Sequence, residues 1–189
     1  GNGGNDGGDI HLESGSSLSG SSGDVHLKAG FSSQNGGSIN FLAGSAISAT
    51  GGGIALVAGK SGSGQGGNID IFSGHGMNSG SVIIKSGKGN INSGDVVVAS
   101  GPANSGFTGD ITFASGKALA SSGSIHILSG SSSSSGGNVH ISSGSSQKGY
   151  SGNVVISTGN SRRESQYSGS IEIRSGESRE RSGTLKMTT

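Results

Sequence analysis

"GSIHILSG", residues 123–130, places three aliphatic side chains and one histidine between small residues in a chain dominated by glycine and serine. An apolar island this short cannot form a core by itself, so its reading turns on whether it recurs. It does. The same frame reads "GDIHLESG" from Gly8, "GDVHLKAG" from Gly23, "GSINFLAG" from Gly37, "GGIALVAG" from Gly52, "GNIDIFSG" from Gly67 and "GSVIIKSG" from Gly80. It continues as "GDVVVASG" from Gly94, "GDITFASG" from Gly109, "GNVHISSG" from Gly137, "GNVVISTG" from Gly152 and "GSIEIRSG" from Gly169, and closes with "GTLKMTT" from Gly183. The thirteen copies are spaced mostly 14 or 15 residues apart, with one step of 13 and one of 17. A fixed period of this kind marks repeat architecture and separates the chain from a flexible linker.

Within each copy the third and fifth positions are large and apolar. The pairs are Ile10 with Leu12, Val25 with Leu27, Ile39 with Phe41, Ile54 with Leu56, Ile69 with Ile71, Val82 with Ile84 and Val96 with Val98. Then follow Ile111 with Phe113, Ile125 with Ile127, Val139 with Ile141, Val154 with Ile156, Ile171 with Ile173 and Leu185 with Met187. A spacing of two puts both on one face of an extended segment, and most are of the β-branched or aromatic types that suit a pleated surface. These pairs are the expected structural core. The seventh position is always small, as at Ser14, Ala29, Ala58 and Thr158. The fourth and sixth positions, including His11, Lys28, Asp70, Glu172 and Arg174, vary freely. Constancy on one face with variation on the other predicts strands with a single buried face.

Between copies lie Gly, Ser, Asn and Gln, such as "SSSSSG" at 131–136, in which the length differences are absorbed. These residues tolerate tight turns and positive φ. The expectation is an all-β β-solenoid, with residues 1–7 a Gly/Asn-rich lead-in and 8–189 one continuous repeat domain in which each rung buries its apolar pair on its neighbours. Two windings fit. Two copies per coil of about 29 residues would set two parallel sheets face to face, with a rod of roughly 30 Å at strand spacing. One copy per coil would double that length and turn the loop residues Leu18, Ile47, Met77 and Leu119 inward. Lys60, Lys88 and Lys117 follow even-numbered copies only, while Leu18, Ile47 and Met77 follow odd-numbered ones, which favours two copies per coil.

Composition narrows the function classes. The 189 residues include 41 glycines and no cysteine, with 28% hydrophobic residues and a formal net charge of +1. Disulfides and thiolate metal sites are thereby excluded. No apolar run approaches membrane-spanning length, and "GNGGNDGGDI" does not resemble a signal peptide. The mixed-sign clusters at Arg162–Ser165 and Glu177–Ser182 do not form a basic footprint for nucleic acid, and suit a salt-bridged edge or plain solubility.

Four of the five histidines, His11, His26, His126 and His140, share one outward position in adjacent copies; His75 lies in a loop. That position also holds Ala, Val, Asp and Lys, so it reads as a tolerant surface site. "GGNDGGDIHL" at 3–12 matches one turn of a calcium-binding nonapeptide pattern, but the register fits once and the period elsewhere is 14. Asp9, Asp24, Asp95 and Asp110 at the second position therefore read as local hydrogen-bonding residues. Neither a nucleophile–base set nor an N-x-S/T acceptor stands out, and no cofactor is expected; the serine loops could carry O-linked sugars.

The Gly-framed repeat resembles Gly/Ser-rich β-solenoid repeats of phage and giant-virus fibres, microbial adhesins and surface-filament proteins of algae and other microbes. The resemblance covers Gly8–Thr189, is compositional, and assigns no site residues. It implies a non-catalytic extracellular, cell-surface or virion-appendage rod or fibre that assembles by strand stacking, end to end or laterally with its own copies, or continues in a longer chain. The other reading is a repetitive binding face for ice or a carbohydrate. The mixed outward residues do not supply the regular ranks such a face needs.

Overall fold

Every copy but the last ends on a small residue followed by glycine, and the next copy begins on glycine, so two points free of bulk flank each loop. The computed structural model, which describes residues 7–161 and 167–188, shows what these points do. The chain bends sharply in the middle of the loops, and at eight of them the flanking glycines come back together at a neck. The chain divides into two units, Gly1–Val96 and Val97–Thr189.

In the first unit the bends fall at 18–20, 33–35, 47–49, 62–64, 76–78 and 90–91. Necks close where the N–H of Gly23, Gly37, Gly52, Gly67 and Gly80 donates to the carbonyl of Gly15, Gly30, Gly44, Gly59 and Gly74, at 2.8–3.1 Å. In the second unit the bends fall at 104–106, 119–120, 133–134, 147–149 and 179–180. The corresponding necks are Gly137 to Gly130 at 3.1 Å, Gly152 to Gly144 at 2.9 Å and Gly183 to Gly176 at 3.4 Å.

Where a neck closes, it explains the small first and seventh positions. A Cβ built on Gly37 would stand 3.1 Å from the Ala29 Cβ and 3.3 Å from the Gly30 nitrogen. Gly152 would meet the Ser143 Cβ at 3.2 Å, and Gly137 the Ser129 Cβ at 3.3 Å. The seventh residue of one copy thus packs against the first glycine of the next, and neither can be large. At the first neck Ser14 Oγ also donates to the Gly23 carbonyl at 2.7 Å.

Serine closes the bends from inside. The N–H of Gly20, Gly64 and Gly149 donates to the Oγ of Ser17, Ser61 and Ser146, three residues earlier, at 2.8–2.9 Å. A tighter version links Gln34 to Ser32 and Ser134 to Ser132, both at 3.1 Å. These are side-chain turns of the kind serine makes in place of regular structure. Left-handed glycine has little part in them: Gly106, with φ 94°, is the one positive-φ glycine among the described residues.

The all-β expectation is corrected here. Among the described residues there is no helix and no strand, and hence no β-solenoid with either one or two copies per coil. Each neck closes the loop on itself, returning the chain beside the end of the copy it has just left. Among the described residues, the backbone between the necks makes no backbone–backbone hydrogen bond. Eight backbone–backbone hydrogen bonds join the described residues, where a globular chain makes about one hydrogen bond per residue.

The expected core falls with the solenoid. None of its residues is buried; all are exposed. At the third position this corrects Ile10, Val25, Ile39, Ile54, Ile69, Val82, Val96, Ile111, Ile125, Val139, Val154, Ile171 and Leu185. At the fifth position it corrects Leu12, Leu27, Phe41, Leu56, Ile71, Ile84, Val98, Phe113, Ile127, Ile141, Ile156, Ile173 and Met187. The physical reason is the neck: a loop that closes on itself does not lay the next copy over the last, so no second apolar layer reaches these side chains. The edge ranks expected of the loops fail as well. Leu18, Ile47, Met77 and Leu119 sit on the bends with side chains open to solvent.

Candidate functional site

With no side chain buried among the described residues, the feature that repeats through both units is a seam of apolar side chains. Its exposure is graded by position. The small seventh-position residues Ala29 and Ala58 are half-buried. Among the large side chains, from Val25 onward those at the third position are the most covered, from Ile39 at 42% to Ile54 at 59%, and fifth-position residues such as Phe113 at 71% are more open. Outside the two terminal copies, apolar residues at the fourth and sixth positions (Ile83, Val97, Leu42, Phe72) are more exposed still, and those on the bends are fully so.

The exceptions show where the cover comes from. Ile10, with no copy before it, is 97% exposed, whereas Leu185 in the last copy is 56% exposed. The preceding stretch of chain therefore shields each third-position side chain in part. At the fifth position Met187 in the last copy is the most exposed, at 87%, so the following stretch gives part of the cover there; both positions otherwise stay open. In the second unit the seam widens into a cleft of about 450 Å³ lined by Phe113, Ile125, His126, Ile127 and Leu128.

The outward-facing side chains carry short-range ion pairs. His11 Nε2 lies 3.0 Å from Glu13 Oε2, His26 Nε2 lies 3.8 Å from Asp24 Oδ2, and Arg174 Nε lies 2.6 Å from Glu172 Oε1. Each joins residues two apart on one segment, all strongly exposed, so they contribute little to stability. The Arg174–Glu172 pair does cancel charge within its copy. The sequence reading misses this pairing, although an i, i+2 alternation of opposite charges is its legible sign.

His11 and His26 thus face carboxylates within their own copies. Among the described residues no group of three or more His, Asp or Glu side chains could hold a metal ion. Asp24 faces His26; the calcium-like opening lies partly outside the described residues, and the Arg162–Ser165 cluster lies wholly outside them. In the companion cluster the Glu180 N–H reaches the Ser178 Oγ at 3.4 Å. No described helix is long and apolar enough to cross a membrane.

No protein-family model, curated protein or solved structure matches the chain.

Proposed function

We propose that the chain is a non-catalytic structural module of a filament, wall or viral appendage outside the cell, and that it works by associating with its own copies. One observation carries the reading: across thirteen copies no third- or fifth-position side chain is less than 42% exposed. Soluble monomers rarely leave so many large apolar side chains open. The accessible area makes the same point. At 18.2 kDa the chain exposes 19899 Å², against about 8,000 Å² for a compact monomer and about 26,000 Å² for an unfolded chain of that mass. With so little surface buried, a lone chain lacks the hydrophobic gain needed to offset its conformational entropy.

A repetitive face for ice or a carbohydrate fits less well. The outward positions mix histidine, lysine, valine and arginine, and the hydroxyls of Ser17, Ser61 and Ser146 already accept loop N–H groups.

Sedimentation velocity over a wide concentration range, with negative-stain imaging of the same samples, tests the proposal. The expected result is a species that grows with concentration into elongated particles. A single monomeric species at the highest concentration reached would overturn it.

A further inference from the structure

The geometry points to a definite occupant for the open seam: a second copy of this chain, lying parallel and unshifted, so that each repeat covers its own counterpart. The inference rests on the self-associating structural reading and adds the partner's direction and register.

Three shortages in the single chain are met by one operation. The third- and fifth-position side chains are only partly shielded by the chain itself, none of them being less than 42% exposed. Among the described residues, the backbone between necks makes no backbone–backbone hydrogen bond within the chain. The accessible area exceeds that of a compact monomer by more than any ordinary dimer interface would remove, so copies are needed on both sides of each chain. Pairing unbent segments edge to edge, at about 4.8 Å per chain, would supply ladder hydrogen bonds and bury each seam residue between identical neighbours.

Register follows from the spacing. The steps between copies are uneven: 15 residues from Gly52 to Gly67, 13 from Gly67 to Gly80 and 17 from Gly152 to Gly169. A one-residue slip turns a seam side chain to the opposite face. A partner shifted by one copy, or running antiparallel, sets unequal steps against each other and forces loops to distort. The parallel, unshifted partner alone matches all thirteen copies without distortion.

Charge permits that alignment. Stacking identical chains places like charges over each other, which normally opposes it. Here the third and fifth positions are uncharged in every copy and the chain carries a net charge of +1. Glu172 and Arg174 set opposite charges side by side within one layer, and His11 and His26 each lie beside a carboxylate of their own copy.

The absence of cysteine allows a direct test. Ser142→Cys, at an exposed sixth position beside the seam, is spin-labelled and the full-length chain is assembled, with Ser134→Cys on a bend as a second site. Parallel, unshifted stacking brings identical Ser142-site labels within about one strand spacing. Their spectrum should collapse to a single exchange-narrowed line and recover three lines when unlabelled chain is in large excess. Three separate lines in undiluted assemblies that sediment would overturn the register while leaving self-association standing. Failure of the unlabelled chain to sediment at all would overturn both.

Discussion

Glycine serves here chiefly by lacking a Cβ. At the necks the first glycine of a copy faces the small seventh residue of the copy before, and its N–H donates to the preceding glycine's carbonyl. Gly89 is the most constrained position, since a Cβ there would overlap the Asn92 carbonyl. Gly89→Ala should therefore open its loop and shift the amide resonances of Asn92 and Ser93. Gly62→Ala, where nothing lies within 4 Å, should leave its loop intact. It should even restrict the unbound chain slightly, by about 0.4–1 kcal/mol. Equal perturbation of the two loops would contradict the packing described. Serine has a comparably local part. Ser61→Ala removes the acceptor of the Gly64 N–H and should cost that bend about 0.5–1.5 kcal/mol, read as faster amide exchange at Gly64 and not at Gly149.

At the scale of one repeat, the extended segment supplies the apolar pair and the necked loop presents it. The alternation of large residues at positions three and five is legible without a structure, and so is the confinement of length changes to loops. What those residues meet is not. The pattern predicts burial of Ile125 and Ile127 on adjacent rungs, yet both remain more than half exposed beside the cleft that they line with Phe113. Covering each such side chain is worth roughly 1.5–3 kcal/mol. Ile125→Asp combined with Ile127→Asp should accordingly raise the concentration at which the chain associates by at least about tenfold. Leu42→Asp, on an outward sixth position away from that cleft, should raise it much less. Equal effects from the two changes, measured by sedimentation, would remove the distinction between seam and outward face.

For the molecule as a whole, structure and association should be one event. A dilute chain has few internal hydrogen bonds and no buried side chain among its described residues, so its far-UV circular dichroism should show little β signal. That signal should rise with concentration in parallel with sedimentation. A full β spectrum persisting at the greatest dilution would mean that the chain orders itself unaided. The net charge of +1 and locally paired charges predict that moderate salt changes the association threshold only slightly, because screening acts on unpaired charge. A steep salt dependence would instead place electrostatics at the centre of assembly.

The sequence by itself determined the thirteen copies, their phase, the apolar pair in each and the smallness of the residues around every loop, because these are periodic properties carried within a few residues. Tertiary structure alone decided where each loop returns the chain. Whether a glycine-flanked loop winds onward to the next rung or closes on its own neck depends on hydrogen bonds such as Gly23 to Gly15, between glycines that flank nearly every loop in the same form. Both windings present the same pattern of side chains, so the pattern could not distinguish them. The neck closure did, and it left the seam open.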